Sequence, residues 1–212
     1  MSEIDDTFTL DSDAHVGCPA APCSPCRFAY ADPPYYGLAE KFYGHLHPEA
    51  AEYDKLETHA ALIERMTAGY DGWAMSLHSP ALRDILPLCP TDARIMAWVK
   101  PFASFKPGVG VAYAWEPVIV WGGRRRTRQQ FTVRDWHACN ITLKRGFCGA
   151  KPEGVVRWLL DVLNAEKHDT IDDLFPGSGA VSVAIENWRT ERTLFCPANA
   201  ERTEPATENE HE

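Results

Sequence analysis

The chain predicts a three-layer α/β sandwich, and three observations carry that prediction. Short apolar runs at Phe28–Ala31, Trp73–Leu77, Ala93–Val99 and Pro117–Trp121 read as buried strands, separated by stretches of helical periodicity. The first run stops at Asp32-Pro33-Pro34-Tyr35, where two prolines with fixed φ and no N–H end a strand abruptly. Near the C-terminus, a strand at Thr170–Phe175 meets the tight turn Pro176-Gly177-Ser178-Gly179, and helical character follows from Ala180 to Trp188. Strand, glycine turn and helix form the corner at which α/β sheets hold their ligands.

The elements follow in order. Tyr36–Tyr53 contains Gly37, Gly44 and Pro48 and no clean period, so it reads as a surface loop, a candidate lid. His45 and His47 lack nearby carboxylate or cysteine partners and read as solvated. Asp54–Ala68 is a helix with Leu56, Ala60, Ile63 and Met66 on one face. Ser79 and Pro80 suit the N-cap and first position of a helix reaching about Leu86. Lys100–Tyr113 is a Gly/Pro-rich connection. Pro152 suits the first position of a helix over Glu153–Asn164, whose Val155, Val156, Leu159, Leu160, Val162 and Leu163 give a broad apolar face. A last strand is expected at Thr193–Cys196.

Charge divides the chain more sharply than hydropathy does. The net charge of −9 resides in the ends: Glu3, Asp5, Asp6, Asp11 and Asp13 at one, and Glu201, Glu204, Glu208, Glu210 and Glu212 against Arg202 at the other. We therefore expect a flexible acidic, Cys/Pro-containing leader over 1–25, one folded domain over 26–197 and a disordered acidic tail over 198–212. Within the neutral body, residues 121–151 hold eight bases (Arg124, Arg125, Arg126, Arg128, Arg134, Lys144, Arg145 and Lys151) against Asp135 alone. That local excess, centred on 122–150, suits contact with phosphate. The seven cysteines are odd in number and scattered, as in a reducing compartment. His15, Cys18, Cys23 and Cys26 do not have the spacing of a standard zinc finger, and no metal is expected. No apolar stretch approaches the ~20 residues of a membrane helix, and the N-terminus lacks the basic region of a signal peptide.

A rigid turn carrying a carboxylate, free carbonyls and a flat ring suits a planar base bearing an amine. Asp32-Pro33-Pro34-Tyr35 resembles the catalytic motif of the amino-methyltransferases, which methylate exocyclic amines of adenine or cytosine with S-adenosylmethionine. The Asp form resembles the adenine-N6 branch. Asp173, Phe175, Gly177 and Gly179 complete a D-x-F-x-G-x-G pattern that resembles the cofactor motif of the same family. The dinucleotide and P-loop fingerprints are not met. Lys151-Pro152, preceded by Phe147, resembles the element that lies just before the cofactor motif in members whose catalytic motif comes first, the permuted β-class order. Trp98-Val99-Lys100 and Glu116-Pro117 resemble, more loosely, adenine methyltransferases related to the mRNA-modifying enzymes.

The resemblance implies a Rossmann-like methyltransferase fold lacking one edge strand, with S-adenosylmethionine as cofactor. It implies catalytic roles for Asp32, Pro33, Pro34 and Tyr35, and cofactor contacts from Asp173, Phe175, Gly177, Gly179, Lys151 and Pro152. Arg124, Arg125, Arg126 and Arg128 are expected to project beside the catalytic edge and hold DNA phosphates. The implied protein is a cytoplasmic DNA adenine-N6 methyltransferase of prokaryotic or phage type. Cytosine-N4 or RNA adenine methylation, and a catalytically weak nucleic-acid-binding module, are the alternatives. The acid with which relatives hold the cofactor ribose has no clear counterpart after Cys196, where Pro197-Ala198-Asn199 stands.

Overall fold

The computed structural model describes residues 24–45, 47–102, 108–142 and 150–194. His15, Cys18, Cys23, Lys144, Arg145, Phe147, the acidic tail and the segment after Leu194 lie outside the described residues.

Six strands form one sheet: β1 (Arg27–Ala31), β2 (Gly72–Ser76), β3 (Arg94–Val99), β4 (Trp115–Gly122), β5 (Trp136–Ala138) and β6 (Thr170–Asp173). The helices are α1 (Ala39–Tyr43), α2 (Leu56–Gly69), α3 (Leu82–Ile85), α4 (Glu153–Val162) and α5 (Ala180–Leu194), with 3-10 turns at Pro48–Asp54, Ser79–Ala81 and Leu86–Leu88. The strand order is β5-β3-β4-β2-β1-β6. β1 lies parallel to both β2 and β6, while β4 runs antiparallel between β2 and β3.

After the exposed Arg27, β1 is buried from Phe28 to Ala31 because both of its faces are covered. Phe28 and Tyr30 face a core with Val118, Val120 and the helices α4 and α5. Ala29 and Ala31 face the other core, with Trp73, Met75, Ile119 and the α2 residues Leu62, Ile63 and Met66. These are the three expected layers. In α5, Val181, Ala184, Ile185 and Trp188 are all buried, and their spacing is one helical stripe.

The order of connection fixes where a ligand can sit. β1 leads through α2 to β2 on one side. Its other neighbour, β6, is reached through α4 on the opposite face. The C-terminal ends of β1 and β6 therefore flank a point where connections diverge, the place at which open α/β sheets bind ligands. Asp32 follows β1 directly, and the glycine turn follows β6.

Several expectations are corrected. The stretch expected as a loop at 36–53 contains α1 and the 3-10 turn, tied together where the Asp54 carboxylate accepts from the backbone N–H of Ala39 (2.9 Å) and Glu40 (3.0 Å). Ser79 is the first residue of its 3-10 turn, and His78 holds the N-cap position. Pro152 is likewise the N-cap of α4, with ψ at 143°, and its carbonyl accepts from the N–H of Val155 and Val156. α5 continues through Leu194, so Thr193 and Leu194 are helical where a strand was expected. The sixth strand is instead β5, short and pairing with the outer edge of β3. Its Trp136-His137-Ala138 has too few apolar residues to stand out in the sequence.

Candidate active site

Asp32-Pro33-Pro34-Tyr35 leaves the C-terminal end of β1, with Pro33 buried and the Asp32 side chain 21% exposed. α4 begins on the same edge and brings Lys151, whose side chain is only 4% exposed, across to it. The ammonium lies 3.1 Å from Asp32 Oδ1, 3.1 Å from the Tyr35 hydroxyl and 2.5 Å from Glu116 Oε1. Tyr35 donates its hydroxyl to Glu116 Oε1 at 2.6 Å. Lys100 holds the other Glu116 oxygen at 2.7 Å and lies 4.6 Å above the Trp98 ring. Two carboxylates and two ammonium groups thus form one buried, balanced cluster. Beneath it the Tyr30 and Ser76 hydroxyls share a 2.8 Å hydrogen bond.

The free acceptor of this cluster is on Asp32. Both contacts of its carboxylate, with Lys151 and with the Tyr35 hydroxyl at 3.4 Å, are on Oδ1. Oδ2 has no hydrogen-bond partner among the described residues. Burial raises the Asp32 carboxyl above its ordinary range, against the pull of Lys151, and Glu116 raises it further. Burial also raises Glu116, but Lys151 and Lys100 more than offset this and hold it at about 2. Lys151 is disfavoured by burial, yet Asp32 and Glu116 hold it well above the usual lysine range. Removing charge from water is costly, and here the partners offset that cost.

The Tyr35 ring is parallel to the His78 imidazole within 5°, with centroids 6.1 Å apart, and Tyr113 continues the aromatic contact 4.8 Å beyond His78. Tyr113 and its neighbour Trp115 are exposed, as are Phe102, Val109 and Val111 on the connection from β3 to β4. Both the end of β3 and the start of β4 lie on the Asp32 edge of the sheet.

The glycine turn lies beyond the end of β6. Gly177 and Gly179 have φ of +44° and +73°, a region that side chains with a Cβ adopt only under strain. A Cβ added to Gly179 would meet nothing within 4 Å, so the backbone there faces open space. Asp173 accepts from the Phe175 N–H at 3.3 Å and from the Ser182 hydroxyl at 3.3 Å, fastening the turn to the first helical turn of α5. Tyr53 meets the Phe175 ring edge-on at 5.5 Å, so the 3-10 segment covers this side. An open, glycine-lined turn at a helix start suits a nucleotide-like cofactor.

No family model matches the chain, and no curated protein matches it. Among solved structures, the complex of M1.HpyAVI with SAM is 13% identical, covering 78% of this chain and 79% of that one at a TM-score of 0.49. M1.HpyAVI alone is 12% identical, with coverages of 78% and 77% and a TM-score of 0.47. A protein from Thermus thermophilus, described as a candidate DNA modification methylase, is 16% identical, with coverages of 80% and 79% and a TM-score of 0.48.

The arginine run is not where the sequence placed it. β4 is antiparallel to β2, and Gly122 pairs with Gly72 at the start of β2. Arg124 to Arg128 therefore leave the sheet on the edge opposite Asp32. α4 separates the two edges, and its ten residues span about 15 Å. Arg124 is turned inward, with its side chain 9% exposed and 2.5 Å from the fully buried Asp169 carboxylate. Arg126 donates to the backbone carbonyls of Phe131 and Asp161. Arg125 and Arg128 are exposed.

Glu116 is the principal residue that sequence reasoning left without a role; Lys100 shares that position. Glu116 is on the same face of β4 as the buried Val118 and Val120, opposite Trp98. A glutamate on the core face of an apolar strand was the available signal. Among the described residues Cys26, Cys89 and Cys139 form no disulfide with one another, and no group of His, Cys, Asp or Glu is arranged to hold a metal. Among them, too, no helix is long and apolar enough to cross a membrane.

Proposed function

We propose that the protein is a DNA methyltransferase that transfers a methyl group from S-adenosylmethionine to the exocyclic N6 amine of adenine. One observation carries the reading: the Asp32-Pro33-Pro34-Tyr35 turn and the Gly177/Gly179 turn leave adjacent parallel strands on one edge of the sheet. An amine-holding turn and an open glycine turn thus lie at the same end of neighbouring strands. Gly177, Gly179, Asp173 and Phe175 would hold the cofactor, whose chemistry is an electrophilic methyl on a sulfonium sulfur.

The amine of adenine is a poor nucleophile because its lone pair is delocalised into the ring. Asp32 Oδ2 and the Pro33 carbonyl would accept its two hydrogens and favour a pyramidal nitrogen. The lone pair would then be free to attack the methyl that S-adenosylmethionine supplies, leaving the thioether, and the surplus amine proton would pass by way of Asp32 Oδ2 to solvent. Positioning supplies most of the acceleration, and acceptors aimed at the developing N–H charge add to it. Tyr35 would stack on a base turned out of its helix. The exposed aromatics of the β3–β4 connection suit stacking contacts with flanking bases. In this reading DNA approaches the Asp32 edge, and the exposed Arg125 and Arg128 lie remote from the reacting base.

The test is transfer of labelled methyl to DNA and RNA followed by nucleoside analysis, with calorimetric titration of S-adenosylmethionine. N6-methyladenine in DNA is the expected product. N4-methylcytosine, or a product in RNA alone, would overturn the target assignment. Cofactor binding without transfer to any nucleic acid would favour a binding module.

A further inference from the structure

Lys151 is shared unequally. Its ammonium is 2.5 Å from Glu116 and 3.1 Å from Asp32, and the Glu116 carboxylate is fixed from two further sides by Tyr35 and Lys100. We propose that Glu116 and Lys151 are an opposed pair of positioning residues that set how strongly Asp32 accepts the substrate amine. Lys151 keeps Asp32 ionised in a buried setting. Glu116 competes for the same ammonium, so the hold on Asp32 stays partial and Oδ2 keeps its charge for the amine. Lys100 neutralises the second Glu116 oxygen, which prevents Glu116 from making the edge too negative for Asp32 to ionise.

The groups facing Asp32 come from every element around it: Tyr30 from β1, Tyr35 from its own turn, Glu116 from β4 and Lys151 from the start of α4, with Lys100 behind Glu116. Beside burial, two of these charges act on Asp32, and they act in opposite directions. Lys151 lowers the pH at which its carboxyl protonates, and Glu116 raises it. The same opposition holds for any ligand chemistry at the site, although the catalytic consequence rests on the methyl-transfer reading.

The experiment is a pair of near-isosteric variants, Glu116→Gln and Lys151→Met, read in two ways. The first readout is the pH titration of Asp32 followed by NMR of a 13C-labelled carboxyl, which needs no activity. The second is the acid limb of kcat for methyl transfer. Lys151→Met should move both to higher pH, by about 1–3 units for loss of an adjacent opposite charge. Glu116→Gln should move both to lower pH, by about one unit. It should also raise the KM for nucleic acid, because Lys151 then closes fully on Asp32. Lys100→Met, which touches Glu116 but not Asp32, should shift the titration upward by less than Lys151→Met, and it serves if Lys151→Met does not fold. A purely structural role predicts loss of activity with no opposed shifts, and that result overturns the proposal. Opposed carboxyl shifts in a protein that transfers no methyl would uphold the charge arrangement and overturn the proposed reaction instead.

Discussion

The Arg124 guanidinium lies 2.5 Å from the Asp169 carboxylate, and together they close the edge of the sheet opposite Asp32. Asp169 also accepts from the backbone N–H of Cys26 at 2.8 Å and of Glu166 at 2.6 Å, so one side chain ties the entries of β1 and β6 to the exit of β4. Breaking a buried pair from one side leaves an uncompensated charge and commonly costs about 3–5 kcal/mol. Arg124→Ser should therefore lower the unfolding free energy by about 3 kcal/mol, measured as a shift of the urea midpoint. A change below about 0.5 kcal/mol, the usual effect of a surface substitution, would mean that the pair is not formed in solution.

The exposed arginines give a separate outcome. Each phosphate contact on duplex DNA contributes about −0.9 to the log–log salt slope of binding. Arg125→Ser with Arg128→Ser should leave that slope unchanged, because both residues stand on the far edge. A slope flattened by one or two contacts would bring DNA around that edge and contradict approach from the Asp32 side.

Asp32→Ala should abolish methyl transfer while leaving cofactor affinity nearly unchanged. Loss of one preorganised polar group costs on the order of 10²–10³ in rate, and the Lys151 ammonium retains Glu116 as a partner. Comparison of single-turnover rates with calorimetric affinities checks both halves. Wild-type turnover in the variant would remove the catalytic assignment of the turn.

Gly177→Val should eliminate cofactor binding through the backbone. At φ +44° a β-branched residue is strained whatever the space around it. Gly179→Ala isolates the effect of a single methyl, because the added Cβ meets no protein atom. It should cost about 1 kcal/mol of stability yet weaken cofactor affinity more, by an order of magnitude or above. Unchanged calorimetric affinity in both variants would reduce the turn to a connector.

Acid should loosen the Glu116 cluster in a defined window. The carboxyl of Glu116 falls from an ordinary value near 4.5 to about 2 in the fold. A depressed carboxyl contributes stability that is present above its unfolded value and is lost as pH falls towards the folded one. Unfolding free energy should thus decline between about pH 4.5 and pH 2, and Glu116→Gln should flatten that decline. The raised Asp32 acts oppositely, since its protonation on acidification relieves a buried charge. Urea midpoints measured across this range in both proteins test the sign.

The layers and the two turns were legible in the amino-acid sequence. A four-residue apolar run such as Phe28–Ala31 is too short for a helix and suits a buried strand, Pro33 and Pro34 keep β1 from continuing past Ala31, and a glycine pair between a strand and a helix leaves one compact local structure. These are short-range constraints on φ, ψ and periodicity, and they hold wherever the segment packs. Which side chains meet was settled by long-range packing. Glu116 and Lys151 are 35 positions apart and Asp32 lies 119 before Lys151, so no local pattern couples them. Pairing of β4 antiparallel to β2 carried Glu116 to the Asp32 edge and the arginines away from it. A basic run in sequence has a sign but no direction; the sheet supplied the direction, and Asp169 withdrew Arg124 from solvent.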